Sequence, residues 1–224
     1  MVAIIMCVWN RIENLKKTIQ SLENQTTKQF ELFLWNNNSK ISSEVDLIIS
    51  PYNWINVHHS EINIGGIGRF CYAKELANKY ETIIFIDDDQ IFKNTFVQDM
   101  LNEYEPTTIK SWFGWKFNDD TYWNRKRVLD GSEVNYCGTG GMCLNSSIFL
   151  DDELFTMLPT KYSFVEDLWL SFYANHIKHW KLKSTIDVYM AIMEDGKDQY
   201  TGLKNTKVEL LKYLIHNLNW KLLK

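Results

Sequence analysis

Short apolar runs alternate with amphipathic stretches along the first half of the chain. Each run is too short for a buried helix and predicts a strand covered on both faces, which is apolar throughout. Between the first two runs, Ile12, Leu15, Ile19 and Leu22 follow the helical period, and a second helical stripe begins at Phe70. The apolar runs are residues 2–8, 30–35, 54–58 and 83–86.

The order of these elements predicts the α/β fold class, with a mixed, mainly parallel central sheet flanked by helices. Parallel strands need crossover connections, and helices supply them here. Asn10 is expected to cap the first helix with Glu13 as its partner, and Asn94 to cap a helix over residues 95–104. Residues 45–49 fit either a short helix or a strand.

The second half of the chain is richer in aromatic residues and glycines. One aromatic-dense stretch contains Trp112 and Trp115. A strand predicted over residues 137–144 is entered through glycines that include Gly140 and Gly141, and a ligand can approach the backbone closely at such a position.

Residues 203–224 predict an amphipathic C-terminal helix whose polar positions are mostly lysine. Docking of its apolar stripe on the core is the favoured interpretation, and contact with a membrane surface is the alternative. A last strand over residues 186–193 and a charged loop over residues 194–198 are expected before it. The stripe consists of Val208, Leu211, Ile215, Leu218 and Leu222.

The composition is that of a globular protein and excludes several classes. The 224 residues, 45% of them hydrophobic, suffice for one domain, which further domains can follow in a longer protein. A net charge of −4 leaves no general basic surface for nucleic acid. Four cysteines without metal-ligand spacing indicate reduced thiols and a cytoplasmic location. The apolar residues 2–8 lack the basic flank of a signal peptide.

The strand over residues 83–86 ends in three consecutive carboxylates, Asp87, Asp88 and Asp89. Adjacent negative charges destabilise a fold unless a cation or strong donors compensate them. Because open α/β sheets bind ligands outside the carboxyl ends of their strands, we predict a ligand site at this triplet.

Other polar segments fall at the ends of neighbouring elements. The first strand ends in Trp9-Asn10-Arg11, and the second in Asn36-Asn37-Asn38-Ser39, which fits a turn or a reader of base edges. The stretch from Asn63 to Arg69, with Gly65 inside it, opens a helix. Such an entry can bind phosphate with its backbone N–H groups, or it can be a loop only.

Taken in order, these segments resemble the GT-A glycosyltransferases of the family-2 type. The resemblance covers residues 2–195 and implies a single GT-A, Rossmann-like domain over residues 1–224. Residues 1–105 would form the nucleotide-binding half and residues 106–200 the acceptor and catalytic half. The motifs that carry it are Asn10-Arg11, Asn36 to Ser39, Asn63 to Arg69, the DXD element Asp87-Asp88-Asp89, a Gly-Gly segment and Glu166-Asp167.

The resemblance implies a nucleotide-sugar donor, with a UDP-sugar favoured, and a glycan, glycoprotein or glycolipid acceptor. Asp89 would bind Mn²⁺ or Mg²⁺ directly, Asp87 would contact the ribose or a metal-bound water, and Asp88 would point elsewhere. The residues that bind the donor nucleotide would be Trp9, Asn10, Arg11, Asn36, Asn38, Gly65, Arg69, Asp87 and Asp88.

Asp167 would be the general base of an inverting transfer, with Glu166 positioning the acceptor or the base. Acids in a first helical turn can also be simple partners of the helix dipole, and this alternative stays open. Trp112, Trp115, Gly140 and Gly141 would shape the sugar or acceptor cleft, although core packing explains the tryptophans equally well.

The sequence departs from the family pattern in two places. Asn36 and Asn38 stand where the family often has an acid, and no histidine stands at the end of the last predicted strand, where some members supply a further metal ligand. Two other functions compete. A sugar nucleotidyltransferase would need a glycine-rich basic loop after the first strand, and a non-catalytic carbohydrate-binding module would have little use for the acidic triplet.

Overall fold

The computed structural model describes residues 1–194 and 200–223 of the chain. Its strands are β1 (Val2–Val8), β2 (Phe30–Asn36), β3 (Ile55–His59), β4 (Thr82–Ile86), β5 (Gln90–Phe92), β6 (Thr108–Ser111), β7 (Gly114–Phe117), β8 (Arg125–Val128), β9 (Tyr136–Cys137), β10 (Met142–Asn145), β11 (Lys181–Ser184) and β12 (Met190–Ile192). Its α-helices are α1 (Ile12–Glu23), α2 (Ser42–Ile49), α3 (Ile67–Leu76), α4 (Phe96–Asn102), α5 (Glu153–Thr156), α6 (Glu166–Phe172) and α7 (Lys204–His216).

A seven-stranded sheet in the order β11-β6-β10-β4-β1-β2-β3 forms the centre of the molecule. Its neighbouring strands are parallel except β10, which runs antiparallel to both β4 and β6. The predicted mixed, mainly parallel sheet with flanking helices is therefore confirmed. Strands β1 and β4 lie side by side, so the polar residues after both strands come to one edge of the sheet.

Alternate residues of the central strands face two separate hydrophobic clusters. Ile83 and Phe85 of β4 contribute to one cluster, which also holds residues of α3, α6 and α7. Ile84 and Ile86 point to the opposite cluster, which holds residues of α1, α2 and α4. Because helices cover both faces, β4 is fully buried along its length, and the acidic triplet starts where this cover ends.

Two small sheets accompany the central sheet. Strands β8, β7 and β9 form an antiparallel sheet, and β12 pairs with β5 directly after the acidic triplet. The strand predicted over residues 137–144 is thus two strands in different sheets. Gly141 has a positive φ of 78° and turns the chain between β9 and β10. The strand predicted over residues 186–193 shrinks to β12, and the last strand of the central sheet is β11 instead.

The helix starts differ from the predicted caps. Helix α1 has Arg11 at its N-cap without a side-chain cap hydrogen bond, so Asn10 is not the cap. Helix α4 starts after Thr95 rather than directly after Asn94. The ambiguous segment 45–49 belongs to helix α2. At the start of α1, the Arg11 side chain instead reaches the acidic triplet, where it forms ion pairs.

The C-terminal helix is shorter than predicted and is docked on the core. Leu210, Leu211 and Leu214 of α7 are fully buried, so the helix docks on the core as predicted. Of the predicted stripe, only Leu211 is buried to this extent, and the other four residues are partly buried against the same core: Val208, Ile215, Leu218 and Leu222. The helix ends at the C-cap Asn217, and Asn219 adopts a left-handed backbone before Trp220 returns to the core. Among the described helices, none is both long and apolar enough to cross a membrane. Of the predicted charged loop, residues 195–198 lie outside the described residues.

Candidate active site

The acidic triplet lies at the carboxyl end of β4, and each of its side chains has a different surrounding. The side chain of Asp88 is 10% exposed and that of Asp89 is 18% exposed. Asp87 is the most open of the three and faces Arg69. The backbone carbonyl of Asp89 accepts a hydrogen bond of 2.7 Å from Met193, so the segment after β12 lies against the triplet.

Arg11 bridges two of the three acids. Its Nη1 atom donates to Asp88 Oδ1 at 3.1 Å and to Asp89 Oδ2 at 2.9 Å. Even so, burial raises the pKa of Asp88 to about 6. Burial and the neighbouring Asp87 raise the pKa of Asp89 to about 7. Asp88 and Asp89 thus share one guanidinium nitrogen, and this close group of acids favours a further cation or a donor-rich ligand.

Arg69 links the triplet to the first of the two candidate catalytic acids. Its Nη1 donates to Asp87 Oδ1 at 3.0 Å, and its Nε lies 3.4 Å from Glu166 Oε1. Arg69 and Glu166 are both buried. Burial raises the pKa of Glu166 to about 7, although the charge of Arg69 acts in the opposite direction. The chain Asp87–Arg69–Glu166 thus joins helices α3 and α6 beneath the site.

A cavity of about 250 Å³ opens above these groups and brings together most of the predicted donor residues. The thiol of Cys7 faces the same cavity, and burial raises its pKa to about 11, so it is protonated and is no nucleophile at neutral pH. We call this space the donor cavity. Its lining consists of Cys7, Val8, Trp9, Asn10, Arg11, Asn37, Asn63, Gly65, Gly66, Arg69, Asp87, Asp88, Asp89, Phe164, Glu166 and Leu203.

Close packing explains the three glycines around the start of α3. A Cβ atom on Gly66 would lie 2.0 Å from the carboxylate of Glu166, and one on Gly68 would lie 2.3 Å from Trp35 Nε1. Gly65 has a positive φ of 76° and would meet the ring of Phe164. Because Gly66 has no side chain, Glu166 at the start of α6 can pack directly against the start of α3.

Asn36 and Asn38 do not belong to the lining of the donor cavity, whereas Asn37 does. The amide of Asn36 bonds to Asn38 O at 3.0 Å and to His59 Nδ1 at 2.9 Å. The amide of Asn38 donates to Trp9 O at 2.9 Å. Both side chains hold the turn after β2 and the neighbouring chain of Trp9. Their predicted role in reading the base stays a prediction.

A second cavity, of about 440 Å³, lies next to the donor cavity and shares Asp87 with it. We call it the acceptor cavity. Its lining includes Trp115 of β7, Tyr136 of β9 and Asp167 of α6. Its lining consists of Asp87, Phe113, Trp115, Arg125, Tyr136, Gly138, Thr139, Gly140, Asp167 and Lys207.

Asp167 is held by groups from three different elements. The hydroxyl of Tyr136 donates a hydrogen bond to Oδ2, and the backbone N–H of Leu168 donates to Oδ1 at 2.8 Å. Lys207 Nζ lies 3.6 Å from Oδ2. Burial and the charge of Asp167 raise the pKa of Tyr136 well above its usual value, so Tyr136 acts as a donor. A carboxylate held in this way, with one side toward a cavity, can accept a proton from a hydroxyl group.

The four predicted cleft residues divide into two pairs. Trp115 and Gly140 line the acceptor cavity, and a Cβ on Gly140 would lie 2.6 Å from Asp87 Oδ2. Trp112 instead packs under the guanidinium of Arg127, 3.5 Å from the ring centre, and Gly141 forms the turn before β10. The interpretation as packing is therefore sufficient for Trp112.

Sequence reasoning missed Tyr136, Lys207, Arg125 and Phe164 as cavity residues. Arg125 lies over the rings of Trp115 and Tyr122 at 4.3 and 4.0 Å. No motif marks these residues, because they come from separate elements that meet only in the folded chain. The nearest indication was the aromatic density of the second half.

The acids at the edge of the donor cavity fit a divalent cation of the Mg²⁺ or Mn²⁺ type. The available donors are carboxylate oxygens, and those of Asp88 and Asp89 share a single nitrogen of Arg11. Within residues 1–194 and 200–223, no three His, Cys, Asp or Glu side chains converge as a ready-made metal cage. Mg²⁺ commonly takes one or two protein carboxylates and completes its shell with water and substrate phosphates, so the donor set fits.

The fold is similar to that of several solved glycosyltransferase structures. TarS of S. aureus matches over 98% of this chain and 40% of its own, with a TM-score of 0.63 and 14% identity. S. aureus TarS 1–349 in complex with UDP-GlcNAc matches over 98% and 68%, with a TM-score of 0.67 and 14% identity. GalNAc-T7 with UDP, GalNAc and Mn²⁺ matches over 87% and 43%, with a TM-score of 0.68 and 14% identity. At this identity the likeness establishes the fold alone.

The chain spans less than half the length of the full TarS and GalNAc-T7 chains that it matches. A search of curated protein sequences found no match. The model of glycosyl transferase family 2, in contrast, matches residues 3–161, which include the acidic triplet, Arg69 and the glycines before α3. The chain therefore belongs to glycosyl transferase family 2.

Proposed function

We propose that this chain transfers a sugar from a nucleotide-diphosphate sugar, most simply a UDP-sugar, to a hydroxyl group of an acceptor. The observation that carries the proposal is the pair of adjoining cavities that share Asp87. The first is lined by two arginines and four acids, and the second by aromatic side chains and the carboxylate of Asp167, which Tyr136 and Lys207 hold. Family membership favours this transfer over the competing nucleotidyl transfer.

In the donor cavity, Arg11 and Arg69 supply positive charge for a diphosphate, and Trp9 offers a flat face for the base. Gly65 and Gly66 lie at the start of α3, where backbone N–H groups and the helix dipole favour phosphate. Asn36 and Asn38 act on the pocket through the turn that they hold.

Asp89, with Asp87 beside it, would hold Mn²⁺ or Mg²⁺ together with the donor phosphates. Bound there, the metal would supply positive charge to the departing diphosphate. Arg11 contacts Asp89 through one nitrogen, so the same carboxylate can exchange this contact for the metal while Arg11 keeps Asp88.

In the acceptor cavity, Asp167 takes the proton of the attacking hydroxyl through Oδ1 or Oδ2. The hydroxyl oxygen forms a bond to the anomeric carbon, and the bond from that carbon to the phosphate oxygen breaks with its electron pair leaving on the diphosphate. Attack from the side opposite the leaving group inverts the anomeric configuration. Glu166, paired with Arg69, supports the backbone that presents Asp167.

A screen of UDP-, GDP- and dTDP-sugars, with Mn²⁺ and with EDTA, tests the proposal through the release of nucleoside diphosphate. We expect slow hydrolysis of one donor that needs the metal and is abolished in Asp89→Ala. Stabilisation by a nucleoside diphosphate that is identical in EDTA would contradict the metal site. No release and no binding with any donor would contradict the function itself.

The acceptor is proposed to be a glycan, glycoprotein or glycolipid, because aromatic faces such as Trp115 suit sugar rings. A cytoplasmic location is proposed from the free cysteines. Contact with a membrane surface would have to use the exposed lysines of α7, Lys204 and Lys212, because the apolar stripe of this helix is already buried.

A further inference from the structure

Lys207 is a lysine at a core position of the C-terminal helix. Lys207, Leu210, Leu211 and Leu214 follow the spacing of one helical face, and all four are buried. An ammonium group at such a position is unfavourable unless an opposite charge compensates it. Because the leucines dock α7 on the core, the Lys207 side chain is directed toward the edge of the acceptor cavity.

A compensating charge within the described residues is the carboxylate of Asp167. Lys207 Nζ lies 3.6 Å from Asp167 Oδ2, with side chains 7% and 13% exposed. The hydroxyl of Tyr136 contacts the same oxygen. The ring of Tyr122 lies beside Lys207, with 5.8 Å between Nζ and the ring centre. Residues of β9 and α7 therefore hold the carboxylate of Asp167, which also lines the acceptor cavity.

The neighbouring acid has its own, separate cation. Glu166 pairs with Arg69 of α3, and its carboxylate belongs to the donor cavity. The two adjacent acids at the start of α6 thus pair with two different cations, Glu166 with Arg69 and Asp167 with Lys207. Without Lys207, the Asp167 side chain could turn toward Arg69 or toward the solvent.

We propose that Lys207 is a positioning residue for Asp167. The C-terminal helix would then complete the acceptor side of the site, although it lies beyond the segment that the family model matches. This inference rests on the proposed function, because it assigns Lys207 a role through the proposed base. Its charge holds the carboxylate in the orientation that faces the acceptor hydroxyl, and Tyr136 holds the same oxygen from the other side.

The role predicts an effect on turnover rather than on donor binding. Small misplacement of a reacting group can lower a rate strongly, so we expect kcat to fall about 10- to 100-fold in Lys207→Met. The KM for the donor should not change, because Lys207 lines the acceptor cavity and is not among the described residues that line the donor cavity. Lys207→Arg keeps the charge and should restore most of the rate.

The test uses the full chain with UDP-GlcNAc and Mn²⁺, and measures UDP release at several donor concentrations. The matched control is Lys212→Met, which removes an exposed lysine from the same helix. The expected result is a loss of kcat in Lys207→Met alone, with rescue by arginine. Wild-type kcat in Lys207→Met, a loss confined to KM, or an arginine variant as slow as the methionine variant would overturn the inference.

A second measurement separates this inference from the proposed function. The melting temperatures of Asp167→Asn, Lys207→Met and the double variant form a thermodynamic cycle. Strictly additive changes overturn the inference, even if the wild type releases UDP. Non-additive changes support the contact, even if UDP-GlcNAc proves to be the wrong donor and the function proposal has to be revised.

Discussion

The carboxylates of Glu166 and Asp167 are adjacent in the sequence but lie in different cavities. Glu166 is directed to Arg69 in the donor cavity, and Asp167 is directed to Tyr136 and Lys207 in the acceptor cavity. Successive residues of a helix lie about 100° apart, so the first turn of α6 can serve both cavities. Glu166 is therefore expected to affect donor binding and Asp167 the transfer step, and substitutions can distinguish these two roles.

Asp167→Asn should abolish transfer without weakening the binding of UDP. The amide keeps the shape of the side chain but cannot take a proton, and general-base catalysis commonly contributes roughly 10²- to 10⁴-fold to a rate. Turnover kinetics and titration calorimetry with UDP measure the two effects. Unchanged transfer to the true acceptor would exclude Asp167 as the base and leave it as a partner of the helix dipole.

Glu166→Gln should weaken donor binding more than it slows the chemical step. The substitution leaves the buried Arg69 with Asp87 as its remaining acidic partner, and Asp87 is then drawn away from the donor. We expect a higher KM for the nucleotide sugar and a lower melting temperature. An effect on kcat alone would show that Glu166 acts in the acceptor cavity.

Asp89→Asn should stabilise the metal-free protein and remove its response to metal. Burial and neighbouring charge disfavour the ionised form of this group, with a pKa raised to about 7, so a neutral amide is better tolerated at pH 8. The melting temperature in EDTA should therefore rise, and the further rise with UDP and Mn²⁺ should be lost. Asp187→Asn, at an exposed position, is the control and should behave as the wild type.

Gly66→Ala should disturb the packing of α3 against α6. The added methyl group would lie 2.0 Å from the Glu166 carboxylate, and overpacking of this kind costs about 1–3 kcal/mol. Gly202→Ala is the matched control, since among the described residues, apart from its two chain neighbours, no atom lies within 4 Å of its added Cβ. Urea unfolding measures both. Equal stability of the two variants would mean that Glu166 moves away without loss.

Glu105 should contribute to the free energy of unfolding at neutral pH and lose this contribution at acid pH. Hydrogen bonds from Lys110 and Lys183 lower its pKa to about 2, below the value of 4.5 expected in the unfolded chain. A lowered pKa contributes stability above about pH 4.5, and this contribution is lost as the pH falls from about 4.5 to 2. Glu105→Gln should be less stable than the wild type at pH 7, and the difference should disappear near pH 2.

The control for Glu105 is Glu61→Gln, a change at an exposed position. Its urea midpoint should follow that of the wild type across the same pH range. A difference between Glu105→Gln and the wild type that stays constant down to pH 2 would show that the three side chains act through packing rather than through charge.

The sequence by itself determined the α/β class, the mainly parallel sheet and the place of the acidic triplet. The physical reason is local: a strand buried on both faces must be apolar, and the period of a helix marks its buried face. The helical period also showed that the glycines before Arg69 lie at the start of a helix. It could not show that Gly66 makes room for Glu166, because those residues are far apart in the chain.

Only the tertiary structure decided which polar residues share a cavity. Side-chain direction at a strand end depends on neighbouring elements, so Asn37 rather than Asn36 or Asn38 faces the donor cavity. Lys207 looks like any lysine of an amphipathic helix, and its place beside Asp167 follows from how Leu210, Leu211 and Leu214 seat that helix. Long-range packing, which no local pattern encodes, placed a cation from the C-terminal helix beside an acid of α6.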